Sequence, residues 1–214
     1  MDNAPSYDPR MENLPVLISY PRSGSNWLNS IMELYFNRPR LRIGPTSFLK
    51  NREARTDFMW FHDHDITSDL RLTHRNILYL YRDPCDVIFS LLRAEHPEAT
   101  SHRHGLLSLM VDGQIKLIKA HYDKYLADYP SIRYEDCKRN LSGEFETILR
   151  FFGIEGGVDV HRLDRCAEKA KKTSLISKAT DKRYFNSHMM SAEYEEDRAA
   201  FRSQYEQHIY SRLT

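Results

Sequence analysis

The sequence predicts an open α/β fold, a parallel β-sheet flanked by helices, and two successive strand-to-helix units carry that expectation. The first begins with "LPVLISY", Leu14 to Tyr20, a short apolar run suited to a buried strand and ended by Pro21. From there Trp27, Leu28, Ile31, Met32, Leu34 and Tyr35 recur at helical spacing. The second unit has "NILYLY", Asn76 to Tyr81, as its strand. Asp83 is placed to cap the following helix, Pro84 suits its first turn, and Val87, Ile88, Leu91 and Leu92 form its apolar face. A chain of 214 residues can bury one substantial core, so a single domain over residues 1–214 is expected.

The later elements follow the same alternation. A helix is expected around Gly113 to Asp128, then a short strand "SIRYED", Ser131 to Asp136. Leu141, Phe145, Ile148, Leu149 and Phe152 mark an amphipathic helix before Gly153, and a last helix spans about Ala192 to Leu213. In such folds ligands bind at the carboxyl ends of the strands.

Charge is abundant but balanced, with 31 basic against 30 acidic side chains and a formal net charge of +1. That excludes the broad positive field of a nucleic-acid binder, so any anion site must be local. The start "MDNAPSYDPRMEN" lacks the basic and apolar regions of a secretory signal, and no stretch reaches the roughly twenty apolar residues of a membrane span. Three widely spaced cysteines, Cys85, Cys137 and Cys166, argue against a disulfide framework or a thiolate metal cluster. A soluble protein of the reducing cytoplasm is the expectation.

The first strand-to-helix junction reads "ISYPRSGSNWL", Ile18 to Leu28. Backbone N–H groups at a helix start lack partners and the helix dipole adds partial positive charge, so an anion is favoured there. Gly24 lets the backbone approach closely, Ser23 and Ser25 add hydroxyl donors, and Arg22 adds a planar cationic fork. An ordinary turn with a surface arginine is the competing reading of so short a motif. It is not the loop of nucleoside triphosphatases, because Asn26 and Trp27 stand where lysine and a magnesium-holding hydroxyl belong. A metal-free anion site is the better fit.

These residues resemble a known family. "YPRSGSNWL" is similar to the 5′-phosphosulfate loop of the sulfotransferases, often "YPKSGTTWL", whose donor is 3′-phosphoadenosine 5′-phosphosulfate (PAPS). "YLYRDPCDVIFSLL", Tyr79 to Leu92, resembles the family's 3′-phosphate segment, with Arg82 and Ser90 at the family spacing. "IRYEDC" followed by "FFGI" resembles its tyrosine-bearing strand and next helix, so the likeness covers most of Leu14 to Ile154. It implies that Arg22, Ser23, Gly24, Ser25 and Asn26 hold the 5′ end and that Arg82 and Ser90 hold the 3′-phosphate. It also implies that Trp27 and Tyr134 meet the adenine. From the residues alone, Arg82 could form a surface ion pair, Ser90 could bond back to its own helix, and Trp27 could be a core aromatic. In "KKTSLISK", Thr173, Ser174 and Leu175 are candidates for the adenine wall, or simply a helix end. The family's closing Arg-Lys-Gly and Gly-Asp-Trp segments have no counterpart, which leaves Lys182 and Arg183 as candidate closing cations or a solvated charge cluster.

Between the two phosphate motifs the family places a lysine and a histidine, and "WFHDHDI" offers His62 and His64. Residues two apart on an extended segment face the same way, and an imidazole with a pKa near ~6.5 can accept a proton at neutral pH. The resemblance makes His64 the base, His62 the stand-in for the lysine, and Arg22 the cation on the leaving phosphate. A metal pair completed by His102 or His104 and simply exposed histidines beside Asp63 and Asp65 are the alternatives. The implied reaction moves a sulfonate from PAPS to a hydroxyl or amine of a small-molecule or carbohydrate acceptor, yielding adenosine 3′,5′-bisphosphate without a metal. A magnesium-dependent kinase and a non-catalytic nucleotide-binding module are the other classes. "NRPRLRIGPTSFLKNREAR" and "RAEHPEATSHRHG" are expected to flank the acceptor.

Overall fold

Alternation along the central strands decides the layering. A computed structural model describes residues 14–41, 57–66, 69–74, 76–95, 104–180 and 192–213. Strands β1 (Val16–Ser19), β2 (Phe61–Asp63), β3 (Ile77–Tyr81) and β4 (Ser131–Arg133) form one sheet in the order β2-β1-β3-β4. Every neighbouring pair is parallel, with Val16 beside both Phe61 and Ile77 and with Leu80 beside Ile132. Leu17, Leu78, Leu80 and Ile132 point to one face. There they pack on α1 (Ser25–Phe36), α5 (Leu141–Phe151) and α6 (Val160–Thr180) through Leu28, Ile31, Met32, Phe145, Ile148, Leu149 and Leu163. Val16, Ile18, Ile77 and Tyr79 point the other way, onto Tyr125 of α3 (His104–Tyr125). The period of two along each strand thus yields helices on both faces, the open α/β architecture expected.

A further cluster joins α2 (Pro84–Glu95), α3 and α7 (Ala192–Leu213) through Val87, Ile88, Phe89, Val111, Ile115, Ile118, Phe201 and Ile209. Its docking against α2 is also electrostatic. Arg198 grips both Asp86 carboxylate oxygens at 2.8 and 2.6 Å, and Arg202 donates to Asp83 and Asp86 at 3.0 and 2.9 Å. Burial alone would raise the pKa of Asp86, but these arginines and Arg82 hold it below the ordinary carboxylate range.

Local chemistry explains the element ends. Asp83 caps α2 as expected, its Oδ1 accepting from Asp86 N at 3.1 Å. Asn140 does the same for α5 through Gly143 N at 3.1 Å. Three expectations are corrected. The strand expected over Ser131 to Asp136 stops at Arg133, and α4 (Tyr134–Arg139) begins there. Glu135 and Asp136 in its first turn, and Lys138 and Arg139 in its last, suit the helix dipole better than a strand. Helix α3 starts nine residues before Gly113, at His104, and ends at Tyr125. The sequence shows α6 only as a helix end at Thr173 to Leu175, because the core stripe of Leu163, Cys166 and Ala170 is narrow and weakly apolar.

Candidate active site

Parallel neighbours in register deliver their carboxyl ends to one edge, so the segments after β1, β2 and β3 emerge side by side. After β1 the chain turns sharply, with Ser23 N on Tyr20 O at 3.2 Å. Arg22 has φ 70° and Gly24 φ 87°, both in the left-handed region. Gly24 is required by contact as well as by conformation, because a Cβ there would sit 2.3 Å from the Tyr134 ring. Helix α1 then begins at Ser25 with no side-chain cap, presenting its first N–H groups at the site. Ser23 is fully buried, and its Oγ has no hydrogen-bond partner among the described residues.

Two arginines converge on this turn. Arg22 Nε donates to Ser90 Oγ of α2 at 2.9 Å, and Arg82, directly after β3, donates through NH1 to the Arg22 carbonyl at 3.1 Å. The Arg82 guanidinium lies 4.9 Å from the Tyr134 ring centroid and faces Asp86 at 3.7 Å and Glu135 at 3.9 Å. Ser90 therefore pairs with Arg22 in this structure, where the resemblance pairs it with Arg82. All three side chains thus meet at the turn after β1. Burial pulls the Arg22 guanidinium pKa below its usual value and the nearby Arg82 charge adds to this, while Tyr194 and Glu95 oppose it. Two desolvated cations beside an uncapped helix start form a local demand for negative charge.

Trp27 is half-buried rather than fully in the core, edge-on to Tyr134 at 5.7 Å, with Lys138 Nζ 5.1 Å from its ring. Asn26 is exposed. Burial raises the Tyr134 phenol pKa against the opposing effect of Arg82.

At the end of β2 both histidines meet Ser19, the last residue of β1. His62 Nε2 is 3.4 Å and His64 Nδ1 3.3 Å from Ser19 Oγ, and the two rings are 5.1 Å apart. The stronger contact is from His64 Nδ1 to the Ser19 carbonyl oxygen at 2.6 Å. A carbonyl only accepts, so neutral His64 carries its hydrogen on Nδ1 and its lone pair on Nε2.

Thr173, Ser174 and Leu175 fall within α6, in accord with the helix reading. Lys182, Arg183 and His102 lie outside the described residues, as does most of both expected acceptor-flanking segments. Of the described part, Arg40 is buried beside Glu33, and Arg38 lines a cavity of about 460 Å³ with Pro15, Phe36, Met59, Phe152 and Ile154. Pro15 precedes β1, so that cavity belongs to the opposite edge of the sheet. No group of three or more His, Cys, Asp or Glu among the described residues is arranged to hold a metal ion. None of the described helices is long and apolar enough to cross a membrane.

Three contributors were missed in the sequence. Ser19 is hidden inside an apolar strand, and His121 gives no local signal. Tyr194 of α7 is buried against Phe89, with Arg93 5.5 Å from its ring. A signal for the last did exist, since Tyr194, Arg198 and Arg202 share one face at helical spacing.

Strand-end loops that gather two arginines beside an uncapped helix start, at the carboxyl ends of a parallel α/β sheet, have the arrangement that favours an anion. The profile described as "Sulfotransferase domain" matches residues 15–208, and the chain belongs to the sulfotransferase family. Its fold is similar to that of the mouse sulfotransferase SULT7A1, crystallised as a complex with PAP. The TM-score is 0.56 at 16% identity, over 90% of this chain and 83% of the mouse one. No curated protein sequence matches the chain.

Proposed function

We propose that this sulfotransferase takes its sulfonate from PAPS and passes it to a hydroxyl or amine of a small-molecule or carbohydrate acceptor, with His64 as general base. The observation that carries the reading is the convergence of Arg22, Arg82, Ser90 and the α1 start on one wall, with the His64 ring held through Ser19 at the next strand end. The buried, unpartnered Ser23 hydroxyl supports the fit of an anionic donor, since such a group costs about 1–3 kcal/mol until something bonds to it.

Arg22, Ser23, Gly24, Ser25 and Asn26 would hold the 5′ end, Arg82 and Ser90 the 3′-phosphate, and Trp27 and Tyr134 the adenine. Thr173, Ser174 and Leu175 are retained as its far wall, and Arg183 as a closing cation. When bound, the donor supplies a sulfuryl group: its bond to the 5′-phosphate oxygen breaks as sulfur bonds to the acceptor, and the electron pair leaves on adenosine 3′,5′-bisphosphate. His64 Nε2 takes the acceptor's proton, and the Nδ1–H bond to Ser19 stabilises the imidazolium that results. Arg22 and the first N–H groups of α1 stabilise charge developing on the leaving oxygen. His62, beside Ser19, stands in for the family lysine as an orienting donor. Three buried free thiols, Cys85, Cys137 and Cys166, suit the reducing cytoplasm we assign.

A thermal-shift comparison tests the donor. Adenosine 3′,5′-bisphosphate is expected to raise Tm more than ADP with or without magnesium, because a ligand selective for the folded state stabilises it by mass action. A larger shift with ADP and magnesium would point to a kinase. Radiolabelled PAPS offered to a panel of phenols, alcohols, sugars and amines then tests transfer, and bisphosphate binding without transfer to any of them leaves a binding module.

A further inference from the structure

His121 belongs to neither phosphate motif. It lies on α3, and its ring is boxed by Tyr20, Tyr79 and Tyr125 at centroid distances of 5.3, 5.4 and 5.1 Å. Only 5% of the residue is exposed. Both ring nitrogens are engaged. Nε2 is 2.9 Å from the backbone oxygen of His64, and Nδ1 is 2.8 Å from the Tyr79 hydroxyl. Since the His64 oxygen can only accept, Nε2 carries the hydrogen, and Nδ1 accepts from Tyr79. Burial pushes the His121 pKa down to about 4, which keeps this arrangement neutral at working pH.

The same helix grips the next residue. Lys124 and Tyr125 both contact the Asp65 carboxylate, so positions 121, 124 and 125, one face of α3, hold two consecutive residues of the segment leaving β2. Asp65 is in the left-handed region at φ 46°, and its Oδ1 accepts from Leu70 N at 3.1 Å. His64 is thereby fixed from two sides. Its ring is tied to β1 through Ser19, and its carbonyl is tied to α3 through His121.

We infer that His121 is a positioning residue for sulfonate transfer, acting through its Nε2–H bond to the His64 carbonyl to aim the His64 ring at the acceptor. The inference rests on His64 being the base. A histidine that merely filled the core would be replaceable by any side chain of similar volume without a specific effect on turnover. One that aims the base would not, because a misplacement of about 1 Å costs on the order of a hundredfold in rate.

The test uses the full chain, with PAPS and whichever panel acceptor turns over, or water through slow PAPS hydrolysis. His121→Phe keeps the volume and loses the donor. It is expected to lower kcat about ten- to a hundredfold, with an unchanged KM for PAPS and an unchanged thermal shift by the bisphosphate. His121→Gln, which restores an N–H near the Nε2 position, should recover kcat to within about threefold, as the donor bond itself is remade. Combining His121→Phe with His64→Ala should be no slower than His64→Ala alone, since both act on one group. If His64→Ala abolishes turnover while His121→Phe does not alter kcat, the positioning role is overturned and the base assignment stands. If His64→Ala retains turnover, both fall.

A spectroscopic readout is independent of turnover and of how well the Phe variant folds. Long-range 1H–15N spectra of the ligand-free protein should give His121 as the Nε2–H tautomer and His64 as the Nδ1–H tautomer. Tyr79→Phe, which removes only the hydroxyl donating to His121 Nδ1, should leave both tautomers in place, because the His64 and Ser19 carbonyl oxygens still fix them. An Nδ1–H His121, in the parent protein or in Tyr79→Phe, would refute the inference, because that nitrogen pattern leaves Nε2 no hydrogen to donate to the His64 carbonyl.

Discussion

Gly24→Ala gives the sharpest test of how the anion loop is built. A methyl at this position meets two penalties that the structure separates. The backbone has φ 87°, where an L-residue costs about 1–2 kcal/mol. The new Cβ would also lie 2.3 and 2.4 Å from two Tyr134 ring carbons, so the ring must move. It cannot move without disturbing its contacts with Arg82 at 4.9 Å and Trp27 at 5.7 Å, and overpacking of this kind typically costs about 1–3 kcal/mol. The total is about 2–5 kcal/mol, which for a chain of this size is a Tm decrease of roughly 4–20 °C. Bisphosphate affinity should fall as well, because the displaced ring carries the arginine with it. Thermal melts with and without adenosine 3′,5′-bisphosphate measure both effects. Adding Tyr134→Ala should make the Gly24→Ala penalty smaller, leaving the backbone part alone. An unchanged Tm with unchanged bisphosphate binding, or a penalty that Tyr134→Ala does not diminish, would refute the reasoning.

Arg22→Ala and His64→Ala should each fold and bind bisphosphate yet lose about a hundredfold or more in turnover, read as PAPS-dependent sulfonation. Arg82→Ala should instead weaken bisphosphate binding about ten- to a hundredfold by calorimetry, as expected for the loss of charge-assisted hydrogen bonds. Burial lowers the His121 pKa to about 4 in the folded protein, so the unfolded chain binds more protons at that position between about 6.5 and 4. Its contribution to stability is complete above pH ~6.5 and is lost as pH falls towards the folded value; denaturant titrations across that window should show a slope that His121→Gln reduces. Ser23→Ala removes a buried hydroxyl without a partner, so it should raise the Tm of the ligand-free protein by a few degrees while weakening bisphosphate binding about tenfold.

What could be read in the sequence was whatever local spacing encodes. The strand, turn and helix around "PRSGS", the Asp83 cap and the second strand-to-helix unit are all set within about a dozen residues, and each formed where expected. The co-facing of His62 and His64 was legible for the same reason. Pairings across the fold were not. Arg22 bonds Ser90 across 68 positions, and His121 reaches the His64 carbonyl across 57. Nothing near position 121 distinguishes that histidine from an exposed one, because its partner is a backbone oxygen that any residue would supply. Tyr134 shows the other limit. "SIRYED" satisfies strand periodicity, yet its acidic pair also makes a good first helical turn, and the helix prevails once the strand has run out of sheet to pair with.

The loop is held in a state that its own residues would not choose. Arg22 sits at positive φ, Ser23 is buried without a partner, and two guanidinium groups share one desolvated wall. Unfavourable conformations persist only where the surroundings over-determine them. Here the surroundings can be named. Tyr134 blocks the space beside Gly24, Arg82 fixes the Arg22 carbonyl, and α7 neutralises Asp86 with Arg198 and Arg202. That last point decides where Arg82 directs its charge. Asp86 already receives both α7 arginines at hydrogen-bond distance, so its charge is shared among three cations and Arg82, at 3.7 Å, is the most distant of them. Helix α7 thus acts on Arg82 through Asp86 as well as on Arg22 through Tyr194. Its removal would turn Asp86 from a satisfied anchor into a competitor for Arg82.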